Sequence, residues 1–443
     1  MKRLGIIIAV ALGLASVDAS AQWYIFPGFS QKQQAAAKPR EQQKAGDTLS
    51  VAIKQPVDTV IAVPVAGAAA IPEEYTFPAA DTVPAASIFK PEEFVVDIPE
   101  IINVGLLLPF ESKGRTNPSM MEFYCGALLA ARELGREGIK IDLNVYDCSP
   151  GKPGISEWDF YSTDVLIGPV SFADIANQLD IHPEGKYFIS PLDAQAVQLI
   201  GTSPVIQASA GQDVQIQEML SWLQSELAPE DKVVIVQESG VELTDYSRKV
   251  IDGLENLGIS YDKITYGILQ GLKIGGEFLN KSSYTGVTRF LIASENESFV
   301  GDAVRNMALL QHKGRQTALY GTSKLRSYQS IEADDFHAVG LRLAATFYTD
   351  YTDPDVKSFV LAYRSLFNAE PGSFAFSGYD ITRFFTSLCN NIGRNWGQII
   401  EEYYGRGLYS DFNFERPEGS VGATSAAVRH MVFNPDYTIT LIK

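Results

Sequence analysis

The sequence is poor in cysteine and histidine, and this excludes several kinds of protein. It has only three cysteines, Cys125, Cys148 and Cys389, and none lies in a C-x-x-C pair. A disulfide framework is therefore not the main source of stability. Cys125 falls in a helical pattern and is interpreted as a small buried hydrophobe, whereas Cys148 follows a strand pattern and its pairing stays open. The four histidines lack metal-ligand spacing, so no metal site is expected.

Motifs of common catalytic and nucleic-acid sites are missing as well. No G-x-S-x-G nucleophile elbow occurs, and the stretch from Gly271 to Gly276 lacks the Lys-Ser/Thr of a phosphate loop. No cluster of Lys and Arg interleaved with aromatics offsets the formal net charge of -17, which repels phosphate backbones. We expect no enzyme, no cofactor and no nucleic-acid partner.

The N-terminus has an apolar run that is too short for a membrane span. Lys2 and Arg3 precede the run Leu4 to Leu14, and the small-residue pattern Ala19 to Ala21 follows. This order predicts a signal peptide over residues 1–21, because a span of roughly 30 Å of hydrocarbon needs about 20 apolar residues. No cysteine lies near the cleavage site. The expected product is a periplasmic protein that is not a lipoprotein.

Residues 22–98 are rich in Ala, Pro, Gln and Thr and show no sustained periodicity. Such a segment buries too little apolar surface to offset its ordering entropy, so a mostly disordered spacer is predicted. Short β-like pieces such as Thr59 to Val63 are candidates for docking elsewhere.

Beyond Pro99, apolar runs alternate with amphipathic helical patterns, which is typical of a parallel α/β sheet. The alternation starts afresh after Gln212, so two lobes are implied. The predicted strands are Val104 to Pro109, Ile139 to Asp147, Val165 to Gly168, Tyr187 to Ser190, Val233 to Val236, Phe290 to Ala293 and Thr317 to Tyr320.

From about Ile101 to Lys443 the chain resembles the type I periplasmic binding proteins, the leucine-binding-like branch with its receptor relatives. The resemblance rests on the order and spacing of these segments: Val104 to Phe110, Phe123 to Ala131, Ile141 to Asp147, Val165 to Ser171, Phe188 to Ala194, Val233 to Ser239, Phe290 to Asn296, Leu319 to Gly321, Asp353 to Tyr363 and Gly378 to Asp380.

The resemblance implies an α/β fold with two Rossmann-like lobes joined by a three-segment hinge that closes over a ligand. Lobe 1 is expected at about 99–210 and 350–410, and lobe 2 at about 211–349 and 411–443. The crossings are expected near Gln207 to Gln212, Ala345 to Tyr351 and Ser410 to Phe414. Two departures are expected: a shortened helix between Asp147 and Asp164, and no clear final strands after Arg416.

In lobe 1 the candidate ligand-binding residues follow the predicted strands, because ligands of open α/β sheets bind beyond the carboxyl ends of strands. Ser171 could hold a ligand carboxylate together with the helix N-terminus, or only cap its own helix. For Asp193 the capping role is favoured. The candidates are Phe110, Glu111, Ser171, Phe172, Ser190 and Asp193.

In lobe 2 the candidates are Glu238, Ser239, Tyr246 and Asn296. An acid here could pair with an ammonium group and select amino acids or related amines. Ser294 to Glu297 also reads as a capping box, which favours a structural role for that corner. Tyr379 is interpreted as packing or hinge support, not as a ligand contact.

The leading hypothesis is a non-catalytic periplasmic solute-binding protein that captures a small polar ligand, an amino acid or derivative, and presents it to a membrane transporter. The alternative is a cell-envelope regulator or scaffold that uses the same fold to bind a protein partner. The resembled family includes activators of peptidoglycan synthases, so a cell-wall synthase is the partner considered.

Overall fold

A computed structural model describes residues 61–62, 96–112, 114–182, 185–268 and 272–442. The predicted signal peptide and most of the predicted spacer lie outside these residues. Ile61 and Ala62, inside the β-like piece singled out above, form a short strand that pairs antiparallel with Tyr403 and Tyr404. All three cysteines are free thiols in the described residues.

The strands and helices alternate along most of the described chain. In chain order the strands are β1 (Ile61–Ala62), β2 (Ile102–Leu108), β3 (Glu111–Ser112), β4 (Arg115–Thr116), β5 (Ile141–Asp147), β6 (Val165–Ile167), β7 (Phe188–Ser190), β8 (Val205–Gln207), β9 (Lys232–Glu238), β10 (Asp262–Tyr266), β11 (Val287–Ala293), β12 (Gln316–Thr322), β13 (Arg342–Ala345), β14 (Tyr403–Arg406), β15 (Asp411–Glu415), β16 (Ala423–Ser425), β17 (Arg429–Phe433) and β18 (Ile439–Ile442). The helices are α1 (Pro118–Arg136), α2 (Glu157–Ser162), α3 (Phe172–Ile181), α4 (Gln212–Glu226), α5 (Asp245–Asn256), α6 (Leu272–Lys281), α7 (Glu297–Gln311), α8 (Ala333–Ala338), α9 (Pro354–Phe367) and α10 (Ser373–Ile392).

These strands form two large sheets, which define two lobes. The sheet of lobe 1 has the order β1-β14-β15-β16-β8-β7-β6-β2-β5, and that of lobe 2 has the order β10-β9-β11-β12-β13-β17-β18. In lobe 1, β5, β2, β6, β7 and β8 are parallel, and in lobe 2, β10, β9, β11, β12 and β13 are parallel. The fold class expected from the sequence, α/β with two lobes, is confirmed.

In lobe 1, helices cover both faces of the sheet, which explains why strand β2, between β6 and β5, is apolar almost throughout. Val104 and Leu106 of β2 pack in one cluster with Phe123 of α1 and Phe385 of α10. Leu107 points to the other face, in the cluster that contains residues of α2 and α3. Lobe 2 repeats this plan, with α4 and α5 on one face of its sheet and α6, α7 and α8 on the other.

Helices α1 and α10 approach each other so closely that glycine is required on both. A Cβ added at Gly126 would lie 1.9 Å from the carbonyl oxygen of Ala375, and one at Gly378 would lie 2.0 Å from that of Phe123. Any larger side chain would force the helices apart. The glycine of the Gly378-Tyr379-Asp380 segment is thus a packing residue, and Tyr379 beside it donates to the Glu133 carboxylate.

Within the described residues the chain passes between the two sheets three times, and the third crossing corrects the expectation from the sequence. The first two lie at 208–211 and 346–353, between β8 and α4 and between β13 and α9. The third was expected near Ser410 to Phe414 and lies instead at 426–428, because β15 and β16 both belong to the sheet of lobe 1. Residues 411–425 are therefore part of lobe 1, not of lobe 2.

The two expected departures from the family pattern had opposite outcomes. The segment between Asp147 and Asp164 contains only the six-residue helix α2, so the shortened helix is confirmed. The expectation of no clear final strands after Arg416 is wrong, since β16, β17 and β18 follow there. These strands are short and partly polar, so their sequences show no clear strand pattern. Pairing of β16 with β8 and of β17 with β13 stabilises them.

Arg429, the first residue of β17, joins the hinge segments. Its guanidinium pairs with the Asp411 carboxylate of lobe 1 at 2.6 Å and donates to the carbonyls of Tyr348 at 2.6 Å and Gly407 at 2.7 Å. The Arg429 side chain is only 4% exposed. A buried guanidinium needs this full set of acceptors, because an unpaired buried charge is costly. The contact therefore ties lobe 2 to the second crossing and to the loop after β14.

Asp380 of α10 holds the same loop from the side of lobe 1. Its buried carboxylate accepts the backbone N–H groups of Leu408, Tyr409 and Ser410 at 2.8–3.0 Å. Burial raises the pKa of Asp380 to about 6, against the N–H bonds and the Arg429 charge, which act to lower it. The loop 407–410 is thus fixed between a carboxylate of lobe 1 and a guanidinium of lobe 2.

We expect Arg429→Met to lower the free energy of unfolding by about 3–5 kcal/mol, because it leaves the Asp411 carboxylate without its partner. Equilibrium denaturation followed by circular dichroism measures the change. Lys140→Met is the matched control, since the Lys140–Glu100 pair is also within hydrogen-bond distance, at 2.8 Å, but exposed, and its loss costs about 0–1 kcal/mol. Equal effects of the two substitutions would contradict a special role for Arg429.

Candidate functional site

The candidate site lies at the carboxyl ends of the parallel strands, where polar side chains gather in each lobe. In lobe 1 these side chains follow β2, β6 and β7, and in lobe 2 they follow β9, β11 and β12. Parallel strands bring such residues to one edge of the sheet. The candidates named from the sequence fall into two sets, and the contacts described below are made within each lobe.

Phe110 and Glu111, after β2, are positioned by a carboxylate that sequence reasoning missed. Asp147, at the end of β5, accepts from the Phe110 N–H at 3.3 Å and from the N–H and hydroxyl of Ser149. Burial acts to raise the pKa of Asp147, but these bonds outweigh it and lower the pKa. Glu111 is exposed and pairs with Lys152 at 3.1 Å, so its charge is already balanced.

Ser171 caps helix α3, which is one of the two roles expected for it from the sequence. Its hydroxyl accepts the Asp174 N–H at 3.2 Å and donates to the Asp174 carboxylate at 2.6 Å. The turn into this helix depends on Gly168, which has a φ of +98° and where a Cβ would lie 2.1 Å from the Leu107 carbonyl. Only glycine allows the chain to leave β6 this sharply.

Asp193, after β7, reaches the same helix end. One of its carboxylate oxygens accepts the Phe172 N–H at 2.7 Å, and the other accepts the Gln195 N–H at 2.9 Å. Asp193 therefore caps the short 3-10 helix Ala194–Gln198, as favoured from the sequence, and also occupies the first N–H of α3. The N-terminus of α3 is thus bound by a carboxylate of the chain itself.

Ser190 is fully buried at the end of β7, and its hydroxyl has no hydrogen-bond partner within the described residues. A buried hydroxyl without a partner costs free energy. Ser190 lies this deep because β7 lies between β6 and β8 and is covered on both faces.

In lobe 2, Glu238 and Asn296 are brought together across neighbouring strands. The Asn296 amide donates to both carboxylate oxygens of Glu238 at 3.0 and 3.2 Å, and Ser294 donates to one of them at 3.4 Å. Asn296 also caps α7 by accepting the Ser298 N–H at 3.2 Å. The cap of α7 is therefore Asn296. The capping box expected at Ser294 to Glu297 does not form, because the Glu297 carboxylate accepts the Ser330 N–H instead.

Ser239 and Tyr246 lie near this corner but differ in accessibility. Ser239 is exposed, whereas Tyr246 is buried and burial raises its pKa. Tyr246 lines a cavity of about 10 Å³ together with Glu295, Thr322 and Lys324. This volume suits about one water molecule.

Three residues of this region were missed by sequence reasoning. Asp147 could have been found, because an Asp directly after a predicted strand is a common site of hydrogen bonding to the next loop. Thr322 is the last residue of β12, as Glu238 is the last residue of β9, and Lys324 lies two residues beyond β12. The role of Arg429 had no sequence signal, since its acceptors lie as far as 81 residues away.

Among the residues that the structure describes, no group of three or more His, Cys, Asp or Glu side chains is placed to hold a metal ion. Within the same residues, no helix combines the length and the apolar character that crossing a membrane requires.

A solved structure identifies the fold. A protein from Rhodospirillum rubrum described as a branched-chain amino acid ABC transporter superposes with a TM-score of 0.54 at 17% identity, covering 77% of this chain and 100% of that one. The chain has the type I periplasmic binding protein fold. A substrate-binding protein from Desulfitobacterium hafniense in complex with Leu matches with a TM-score of 0.45 at 16% identity, again over 77% of this chain and 100% of the other.

Sequence comparisons add nothing to this assignment. No protein-family model matches the chain, and no curated protein matches it. The type I periplasmic binding protein fold explains why the strand ends of two separate sheets carry the candidate residues, since each lobe of that fold supplies one edge.

The Glu238–Asn296 contact can be tested by changing charge without removing the helix cap. We expect Asn296→Asp to lower the free energy of unfolding by about 0.5 kcal/mol at low ionic strength, because aspartate caps α7 but places a second carboxylate beside Glu238. Urea denaturation provides the measurement. Adding Glu238→Gln should restore the stability, and Asn296→Ser, which caps without a charge, is the control. No difference between the Asp and Ser variants would show that the contact is unimportant.

Proposed function

We propose that this chain is an exported, non-catalytic binding protein that captures a small polar ligand between its two lobes in the periplasm. The observation that carries this proposal is the placement of hydrogen-bonding side chains at the carboxyl ends of parallel strands in both lobes of a type I periplasmic binding protein fold. Ligands of open α/β sheets bind at that edge. A membrane transporter is the partner to which the ligand would be presented.

The geometry of the hinge supports a ligand-dependent closure. The three crossings are the covalent links between the lobes, and Arg429 bonds across them with backbone carbonyls and the Asp411 carboxylate. A hinge of few segments can rotate while each lobe keeps its own core. Closure would bring the Glu238 corner of lobe 2 towards the Ser171 and Asp193 corner of lobe 1.

Catalysis is not part of the proposal, because the polar groups are committed to structural bonds. Ser171 and Asn296 cap helices, and Asp193 accepts two backbone N–H groups. A nucleophile needs a neighbouring base that is free to take its proton. Carboxylate and hydroxyl oxygens have further lone pairs beside these bonds, and those lone pairs suit recognition of a ligand through hydrogen bonds.

The proposal is tested by blocking the carboxyl edge of the lobe 2 sheet with a bulky side chain. Small molecules released from gently purified chain are identified by mass spectrometry, and their rebinding to ligand-free chain is measured by calorimetry. Ser239→Trp places an indole at the exposed residue after β9, so we expect binding at least tenfold weaker, which is about 1.4 kcal/mol.

The matched control is Ser260→Trp. Ser260 is also an exposed serine of lobe 2, but it precedes β10 and therefore lies at the opposite edge of the sheet. Its replacement should leave binding unchanged. Absence of any co-purifying or rebinding small molecule, or equal loss in the two variants, would refute binding at the strand ends.

A second candidate function is a protein-binding regulator of the cell envelope, and exposed aromatic side chains of lobe 1 favour it. Trp158 of α2 is 82% exposed, and Tyr161 and Ile181 are exposed nearby in the chain. Phe160 stacks on His182 at 4.2 Å, which holds α2 against the end of α3. Exposed apolar groups of this kind mark interaction surfaces, and aromatic residues often dominate their binding energy. Nothing in the comparisons supports a cell-wall synthase as the partner.

This candidate predicts a contact at α2. A photo-crosslinking amino acid introduced at Trp158 in the native host should give one dominant adduct, identified by mass spectrometry. The same amino acid at Leu361, an exposed apolar residue of α9, should not give that adduct. Identical adduct patterns at both positions would count against a specific protein partner.

A further inference from the structure

We propose that the outer edge of β14 is a peptide-binding site that works by strand addition, and that this chain's own segment around Ile61 and Ala62 is its resident peptide. An extended peptide that pairs with a sheet edge gains affinity from backbone hydrogen bonds. β15 and β16 separate β14 from the parallel strands of lobe 1 whose ends carry the candidate site residues. The proposal is therefore independent of a ligand between the lobes.

The first observation is the pairing at this edge. β15 pairs with one side of β14, and the short strand β1 pairs with the other, where Ile61 lies opposite Tyr404 and Ala62 lies opposite Tyr403. Without β1, β14 would be the last strand of the lobe 1 sheet, and Tyr404 is still 37% exposed. An edge strand with free backbone groups and exposed apolar side chains is a template for another extended chain.

The second observation is the sequence of the docked segment. Thr59 to Val63 is β-branched at every position except Ala62, which favours an extended strand. Pro56 and Pro64 bracket it, and proline cannot donate to a strand ladder. The stretch that can add to β14 is therefore short and lies within residues 57–63.

The third observation explains why the resident peptide belongs to the same chain. The Arg394 guanidinium pairs with the Asp97 carboxylate at 2.8 Å, and the Arg394 N–H donates to the Asp97 carbonyl at 2.9 Å. The end of the predicted spacer is thus held on lobe 1 too. At most about 30 Å of chain separates Arg394 from Tyr403, whereas residues 63–95 can span about 100 Å. A tethered segment has an effective concentration on the order of mM, which a second copy in dilute solution does not reach.

Docking at β14 changes what the predicted spacer can do. Both ends of residues 63–95 are held on lobe 1, which shortens the reach of the chain before Ile61 by about 100 Å. β14 also leads directly into the loop 407–410, which Asp380 and Arg429 hold at the hinge. The resident strand therefore supports the segment that carries this loop.

Cysteine pairing in the full chain tests the resident peptide. Opposite positions of an antiparallel pair alternate between hydrogen-bonded and closer non-hydrogen-bonded sites. One of two double variants, Ile61→Cys with Tyr404→Cys or Ala62→Cys with Tyr403→Cys, therefore has closely placed thiols. After mild oxidation we expect that variant to form a disulfide within one chain about fivefold or more above Ala70→Cys with Tyr403→Cys. Non-reducing electrophoresis and mass spectrometry of the digested chain provide the measurement.

Two results of the cysteine experiment would overturn the assignment to the same chain. One is an equal yield in the control variant, which has a similar tether but no paired register. The other is a disulfide that joins two chains, because it would show that the strand comes from a second copy.

Proline substitution tests the edge itself. Ile61→Pro with Ala62→Pro removes both backbone donors of β1 and should free the edge of β14. We expect a fluorescent peptide with the sequence of residues 57–63 to bind this variant about tenfold more tightly than the wild-type chain, where the tethered resident strand competes. Fluorescence anisotropy measures the binding. Ala69→Pro with Ala70→Pro is the matched control and should bind the peptide as the wild-type chain does.

A second peptide tests whether the backbone ladder is what binds. The same peptide carrying Ile61→Pro should not bind, because it cannot complete the ladder. Equal binding of the two peptides, or no gain of binding in the variant that lacks the donors of β1, would overturn the strand-addition site.

Discussion

The two lobes depend on one buried ion pair, Arg429 with Asp411, at the place where the chain crosses between the sheets. Three carbonyl and carboxylate partners share the guanidinium, and they come from the second crossing, the loop after β14 and the first residue of β15. Arg429 itself follows the third crossing directly. Because one side chain joins these segments, the relative position of the lobe cores is set by electrostatics at the hinge as well as by the covalent links.

Several carboxylates of this protein act as acceptors for backbone N–H groups at strand ends and loops. Asp147, Asp193 and Asp380 each accept at least two such groups. This use of acid side chains organises the loops that border the candidate site and satisfies backbone donors without water.

Sequence reasoning placed most of the candidate residues at strand ends, but their chemical roles differ from a simple set of ligand contacts. Ser171 and Asp193 could be recognised as caps because each stands two or three residues before the N–H that it accepts. The contact from Asp193 to Phe172 could not be recognised, since it joins two separate strand ends. Ser190 was named as a candidate ligand contact and is fully buried; its burial depends on helices on both faces of the sheet, which a strand pattern does not reveal.

The sequence by itself determined the α/β class and the division into two lobes, because the alternation of apolar strands and amphipathic helices is a local property of the chain. It also determined the short helix α2, since Pro150, Gly151, Pro153 and Gly154 interrupt any longer one. Only the tertiary structure decided the third crossing, the final strands and the hinge ion pair. Those features are pairings between residues far apart in the chain, and their free energy comes from contacts that exist only after both lobes have folded.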